Sequence, residues 1–331
     1  MKIKKKYLYA GIIIALIVLV GLFFYYKAAK ENQLTEKGAI KEEYKNPWQV
    51  DKNSYLSYPL DRGNVMFNRQ DYEKGESLLV SKVVYQSRGA NIYGFLVLPA
   101  SAEELLPGII LLPGAGVSKE SELGLAKKIA LLDATVLVID QRGTGETNGY
   151  FPNLDEDFQS FVNAEEPVQH LMVYDALRAY DLLYSAPFVD PERIIIAGES
   201  LGGRIAVIAA AIDKNINGVL VISSAGFDFK DKGDLTKDAF IKSIDSDHYI
   251  GLIAPRKLVM MHSVNDTIIP LSSAAISFSK ALEPKQFILL NDTSCNHGYC
   301  DSMYDELVDA LDYLVNIKSR TIISVPDGQN T

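Results

Sequence analysis

From Glu76 onward the chain alternates short apolar runs with amphipathic ones. Residues 78–86 and 92–98, separated by the turn sequence SRGAN at 87–91, predict an antiparallel hairpin. Residues 108–112, 135–140, 193–197, 218–223, 257–262 and 286–290 are short and nearly all apolar. That is the pattern of strands buried on both faces. Between them lie stretches with helical periodicity at 118–132, 166–185, 205–212, 272–282 and 301–317. Ser118 is a candidate N-cap, with Glu120 and Glu122 in the first turn, where the helix dipole favours acids. Strand alternating with helix predicts an α/β fold, a mostly parallel central sheet with helices on both faces.

Ahead of this alternation the pattern changes. Residues 7–26 are twenty positions without a charge, preceded by Lys2, Lys4, Lys5 and Lys6. A helix of that length spans about 30 Å, the hydrocarbon core of a bilayer. Tyr7 and Tyr9 at one end and Phe23, Phe24, Tyr25 and Tyr26 at the other suit the two interfaces. The expectation is a single N-terminal transmembrane helix acting as a signal-anchor, with the lipid bilayer as its partner. A cleaved signal peptide is the competing reading, but the apolar run is long and Lys27-Ala28-Ala29 is a poor cleavage site. The lysine cluster places residues 1–6 in the cytoplasm and the rest outside. Residues 27–46 read as a polar stalk, 47–318 as one domain with a tyrosine-rich N-terminal extension at 47–76, and 319–331 as a loose tail.

Composition narrows the class of partner. Of 331 residues 48% are hydrophobic and 23% charged, ordinary for a globular protein with a large core. The net charge is −9, unevenly spread: residues 31–331 keep 27 basic and 42 acidic side chains, a net of −15. An acidic body argues against nucleic acid, whose phosphates need a basic surface. Two cysteines are too few for a disulfide-built scaffold.

The candidate chemistry centres on residues 193–203, RIIIAGESLGG. An apolar strand, the pattern Gly-x-Ser-x-Gly and an alanine-rich helical run follow one another without a gap, the context of a nucleophile elbow at Ser200. A serine hydroxyl attacks only if a base takes its proton, and that base needs a carboxylate to orient it. Of the four histidines, His170 falls in a helix and His262 inside a buried strand, where core roles are expected. His248 lies in the connection after residues 218–223 and stays open. His297 follows the last expected strand and precedes the final helix, so it shares the carboxyl edge of the sheet with Ser200. Asp266, just past the strand at 257–262, is the candidate acid. An Asx-turn closing its loop is the competing role, and Asp292 is its rival on the histidine loop.

Acyl transfer also needs donors for an oxyanion. The backbone N–H of Leu201 and that of Ala115, in the Gly114–Gly116 loop after the strand at 108–112, are the candidates. Asp140 to Gly145 (DQRGTG) lacks the spacing of a dinucleotide site and is expected to shape the pocket, with Arg142 in an internal ion pair. Cys295 and Cys300 bracket His297 and suit either a disulfide or two free thiols; zinc would lack a fourth ligand. No metal and no cofactor are expected.

GESLGG at 198–203, DQRGTGETNG at 140–149, SVNDTIIP at 263–270 and NHG at 296–298 together resemble the dienelactone hydrolase and prolyl-oligopeptidase-like branch of the α/β-hydrolases. The likeness covers residues 76–318. It implies the α/β-hydrolase fold, with Ser200 as nucleophile, Asp266 as acid and His297 as base. Two departures stand out. Pro113 occupies a position where many relatives have histidine, and 47–76 is far too short for the propeller of the peptidase relatives. The expected protein is therefore a membrane-anchored serine hydrolase, body outside the cytoplasm, cleaving a small-molecule carboxylic ester through an acyl-enzyme. An exopeptidase or amidase acting on a short peptide-like substrate is the alternative. A non-catalytic adhesion or scaffold protein is a more distant one.

Overall fold

The computed structural model describes residues 47–101, 104–147 and 149–317. The expected anchor at 7–26, the stalk at 27–46 and the tail at 319–331 lie outside the described residues. Among the described residues no helix is long and apolar enough to cross a membrane. The chain divides into Met1–Gln49 and Val50–Thr331, and the second unit carries everything that follows.

A nine-stranded sheet runs through this unit. In chain order its strands are β1 (Phe67–Lys74), β2 (Leu78–Ser87), β3 (Ala90–Pro99), β4 (Leu106–Leu112), β5 (Thr135–Ile139), β6 (Val189–Glu199), β7 (Gly218–Ile222), β8 (Lys257–Ser263) and β9 (Lys285–Leu290). In space the order is β9-β8-β7-β6-β4-β5-β3-β2-β1. From β9 to β5 every pairing is parallel, and β3, β2 and β1 continue antiparallel. After β4 the chain steps to β5 on one side, then crosses to β6 on the other. The crevice at such a reversal, at the carboxyl ends of the strands, is where open α/β sheets bind ligands.

The parallel strands are apolar because helices cover both faces. Every residue of β4, β5 and β7 is buried, and Ile194, Ile195 and Ile196 of β6 are fully so. Each Val, Leu or Ile among them stabilises by roughly 1.5–3 kcal/mol on leaving water. The covering helices are α1 (Lys119–Ala130), α3 (Val168–Tyr184), α4 (Leu201–Ile212), α7 (Leu271–Lys280) and α8 (Tyr304–Val315). Ser118 does stand at the N-cap of α1, but its side chain makes no capping bond there.

Two regions depart from the sequence pattern. The N-terminal extension supplies β1, which pairs with β2 and closes one edge of the sheet. All eight of its residues are exposed, and Arg69, Asp71, Glu73 and Lys74 sit along it with a bulge between Asp71 and Glu73. Charge and a bulge keep an open edge from pairing with another chain, and they also erase the apolar signal of a strand. The second region is a small cap. Helix α2 (Leu154–Val162) starts in a capping box between Asn153 and Glu156, and α5 (Leu235–Ser243) is capped by Asp234. Phe158 and Phe161 of α2 pack on the buried Phe240 of α5, with ring centroids 5.6 and 5.5 Å apart. A four-residue helix, α6 (Ser246–Tyr249), follows.

Candidate active site

Ser200 directly follows β6 and caps α4 with φ 50° and ψ −116°, a conformation L-residues rarely adopt. Holding it costs on the order of 1–3 kcal/mol and needs firm surroundings. Its N–H donates to Ile222 O at 3.0 Å, and its carbonyl accepts the Ser224 hydroxyl at 2.6 Å. Gly202 permits the tight descent into α4: a Cβ there would lie 2.0 Å from Leu112 O. The turn is thus wedged against the end of β4.

The loop after β4 lies directly against the serine. A Cβ added to Gly114 would be 3.5 Å from Ser200 Cβ. Ala115 and Leu201, the two expected oxyanion donors, line one cleft of about 110 Å³ together with Gly114, Gly116, Thr144 and Phe151. Its walls come from the ends of β4, β5 and β6, the three strands around the topological reversal. The side-chain amide of Gln141 donates to Pro113 O and ties the β4 and β5 loops together. Arg142 is an ion-pair partner, as expected: its Nε is 2.7 Å from the buried Asp175 carboxylate. Asp140 is structural, accepting the Lys119 N–H at 2.7 Å, the Lys119 ammonium at 2.8 Å and the Glu146 N–H at 2.9 Å.

Asp266 follows β8, where it closes its own loop and also meets His297. Its Oδ1 accepts the N–H groups of Ile268 and Ile269 at 2.9 and 2.8 Å, an Asx-turn, and both carboxylate oxygens lie 3.0 Å from His297 Nδ1. Burial opposes ionisation, but the Ile269 N–H, the His297 ring and the Ile268 N–H together hold this carboxyl below its usual range. The rival Asp292 stays on its own loop, accepting the Ser294 N–H and hydroxyl at 2.8 and 2.7 Å.

His297 is carried by the loop between β9 and α8, and that loop is fastened on both sides of the histidine. Ser263 donates its hydroxyl to Cys295 O at 2.7 Å, and the Thr267 N–H donates to Asn296 O at 2.9 Å. Cys295 and Cys300 are joined as a disulfide. The structure thus brings the Asp266 loop and the His297 loop together over several independent bonds.

The other histidines have partners of their own, although His262 Nε2 lies 3.8 Å from Asp266 Oδ2. His170 is buried against Ser243 Oγ at 2.7 Å, and burial pushes its pKa down to about 3. His262 is buried with Nε2 2.9 Å from Ile269 O, and burial lowers its pKa too. His248 stacks on Tyr55 with centroids 4.1 Å apart and meets Asn53 O at 2.8 Å. Among the described residues no cluster of His, Cys, Asp and Glu is arranged to hold a metal ion. Gln141 lies in the loop expected to shape the pocket, but its bond to Pro113 was not foreseen, and neither Ser224 nor Glu199 was expected to have a part in the site. Each acts through one tertiary hydrogen bond that no local spacing announces.

The geometry and topology define an α/β-hydrolase, and comparison with known proteins agrees. The solved acetyl xylan esterase from Paenibacillus sp. R4 superposes with a TM-score of 0.63 at 18% identity, over 77% of this chain and 90% of that one. The acetyl xylan esterase 1 from Thermoanaerobacterium sp. JW/SL YS485 gives 0.60 at 15%, over 76% and 87%. YfhR of Escherichia coli K12, itself uncharacterized, is 24% identical over 239 residues, 67% of this chain and 78% of its own length. A sequence profile of the family Acetyl xylan esterase (AXE1) matches residues 41–240. The chain belongs to the acetyl xylan esterase family, and it is a serine-type carboxylic ester hydrolase.

Proposed function

We propose that this protein removes short acyl groups, acetyl above all, from carboxylic esters through an acyl-enzyme on Ser200. His297 takes the hydroxyl proton and returns it to the leaving alcohol, and Asp266 fixes the tautomer that leaves Nε2 free to act as base. Water, activated by the same histidine, then releases the acid. The N–H groups of Ala115 and Leu201 receive the oxyanion. The observation that carries the reading is the contact of Asp266 with His297 Nδ1, on a loop tied through the Tyr299 N–H to Glu199, the residue before the strained Ser200. The small cleft at the oxyanion loop favours a short acyl group, and the acetyl esterases of the family support the same choice.

The enzyme works outside the cytoplasm on this reading, held by residues 7–26, because lysines flank the amino side of that apolar run. Protease added to intact cells should then digest the body, and full protection would refute the placement. The chemistry is tested with the full chain in detergent. A fluorophosphonate should label the wild type and leave Ser200→Ala unlabelled. p-Nitrophenyl acetate should be turned over at least about tenfold faster than the octanoate. Equal labelling of both proteins would refute the nucleophile, and a preference for aminoacyl-arylamides would make the protein an amidase.

A further inference from the structure

Glu199 fills the variable position of the Gly-x-Ser-x-Gly turn, and its side chain is buried. Its Oε2 accepts the backbone N–H of Tyr299 at 3.0 Å. Between His297 and Tyr299 stands Gly298, at φ +72°, where an added Cβ would lie 2.7 Å from the same oxygen. The carboxylate therefore rests on the Gly298–Tyr299 peptide, one residue past the histidine. Glu199 is the residue before Ser200, and Tyr299 is two residues after His297. One hydrogen bond thus spans the nucleophile turn and the base loop, with very little chain on either side to absorb a displacement. The remaining bonds of the histidine loop from Ser263 and Thr267 run to the acid loop. Ser223 Oγ meets Gly298 O at 3.4 Å, a weak supplement.

The surroundings of Glu199 suit this task. Three titratable groups face it: Glu122 from α1, and His297 and Tyr299 from the base loop. Burial raises the Glu199 carboxyl, while the Tyr299 N–H and the His297 ring favour its anion. Burial and the Glu199 charge push Glu122 up to about 8. Of the two carboxyls, Glu199 is the one whose anion the fixed Tyr299 N–H and the His297 ring favour. Its second oxygen, Oε1, is buried and has no hydrogen-bond partner among the described residues, so the Tyr299 N–H is the contact that fixes the group.

We propose that Glu199 is a positioning residue for hydrolysis, setting the spacing between Ser200 and His297 through the Tyr299 N–H. The inference rests on the reading of Ser200 and His297 given above. The full chain in detergent is assayed for kcat, KM and thermal midpoint with p-nitrophenyl acetate. Glu199→Ala should lower kcat about 30- to 100-fold with KM within about twofold, since a displacement near 1 Å is enough for such a loss. Glu199→Gln, whose amide oxygen still accepts the Tyr299 N–H, should stay within about threefold of wild type. Glu199→Asp keeps the charge but withdraws it by one methylene, and should fall with the alanine variant. Wild-type kcat in Glu199→Ala or Glu199→Asp, or equal damage in Glu199→Gln, would overturn the proposal. Should Glu199→Ala fail to fold, the Gln and Asp variants decide between the outcomes. Activity surviving in Ser200→Ala would instead remove the underlying mechanism, so the two failures are distinguishable.

Discussion

Both carboxylate oxygens of Asp266 lie 3.0 Å from Nδ1 of His297, while Oδ1 also closes its own loop through Ile268 and Ile269. The two jobs can be separated. In Asp266→Asn the amide oxygen can still accept the Ile268 and Ile269 N–H groups, but the NH₂ turns a donor toward Nδ1. That stabilises the wrong imidazole tautomer. We expect kcat to fall by ~10³–10⁴ with a thermal midpoint close to wild type, read from steady-state kinetics and calorimetry. A loss under tenfold would show that Asp266 serves the loop alone.

Ser200 pays for its exposure with a φ of 50° that glycine would adopt without strain. Ser200→Gly should abolish ester turnover yet raise stability by about 1 kcal/mol, the strain released exceeding the entropy that glycine adds to the unfolded chain. For a domain of this size that is a rise of about 2–4 °C in thermal midpoint. A fall would mean that the serine backbone is not strained.

Glu122 is buried, and burial with the Glu199 charge raises its pKa from 4.5 to about 8. The folded state therefore keeps a proton that the unfolded chain releases across that window. Stability should be fully present below about pH 4.5 for this group and decline toward pH 8, by at most about 1.4 kcal/mol per pH unit. Glu122→Gln should flatten the decline. Denaturant unfolding at several pH values checks it, and parallel curves for the two proteins would refute the assignment.

The disulfide closes a loop of five residues' separation around His297. Its loss should cost about 2 kcal/mol of stability through the added freedom of the unfolded chain. Because Cys295 is packed in the core beside Met303 and Leu307, Cys295→Ala with Cys300→Ser should lose only the crosslink and little packing. The double variant should melt about 5 °C lower. Its kcat should drop a few-fold, as the base loop keeps its bonds to Ser263 and Thr267. An unchanged melting point would make the bridge dispensable.

The apolar strands β4 to β8 were legible because burial on both faces writes a hydrophobic run into local sequence, whereas β9, also expected to be buried on both faces, is a half-exposed edge strand. Ser200 was legible for a related reason: the strand, the strained turn and the helix are contiguous. His297 and Asp266 could be inferred from their places after later strands, once a parallel sheet was assumed to gather all carboxyl ends at one edge. Strand β1 was hidden, since an exposed edge must be charged and bulged; helix α2 was passed over although its Asn153–Glu156 capping box is a local signal, because its apolar face packs on α5. What the tertiary structure alone decided is the fastening of one loop to another. The bonds Glu199 to Tyr299, Ser263 to Cys295 and Gln141 to Pro113 join residues 28 to 100 positions apart. A hydrogen bond needs only one donor and one acceptor placed by the rest of the fold, so it leaves no periodic trace in the chain. Sequence determined which groups could do the chemistry, and long-range packing decided how they are held.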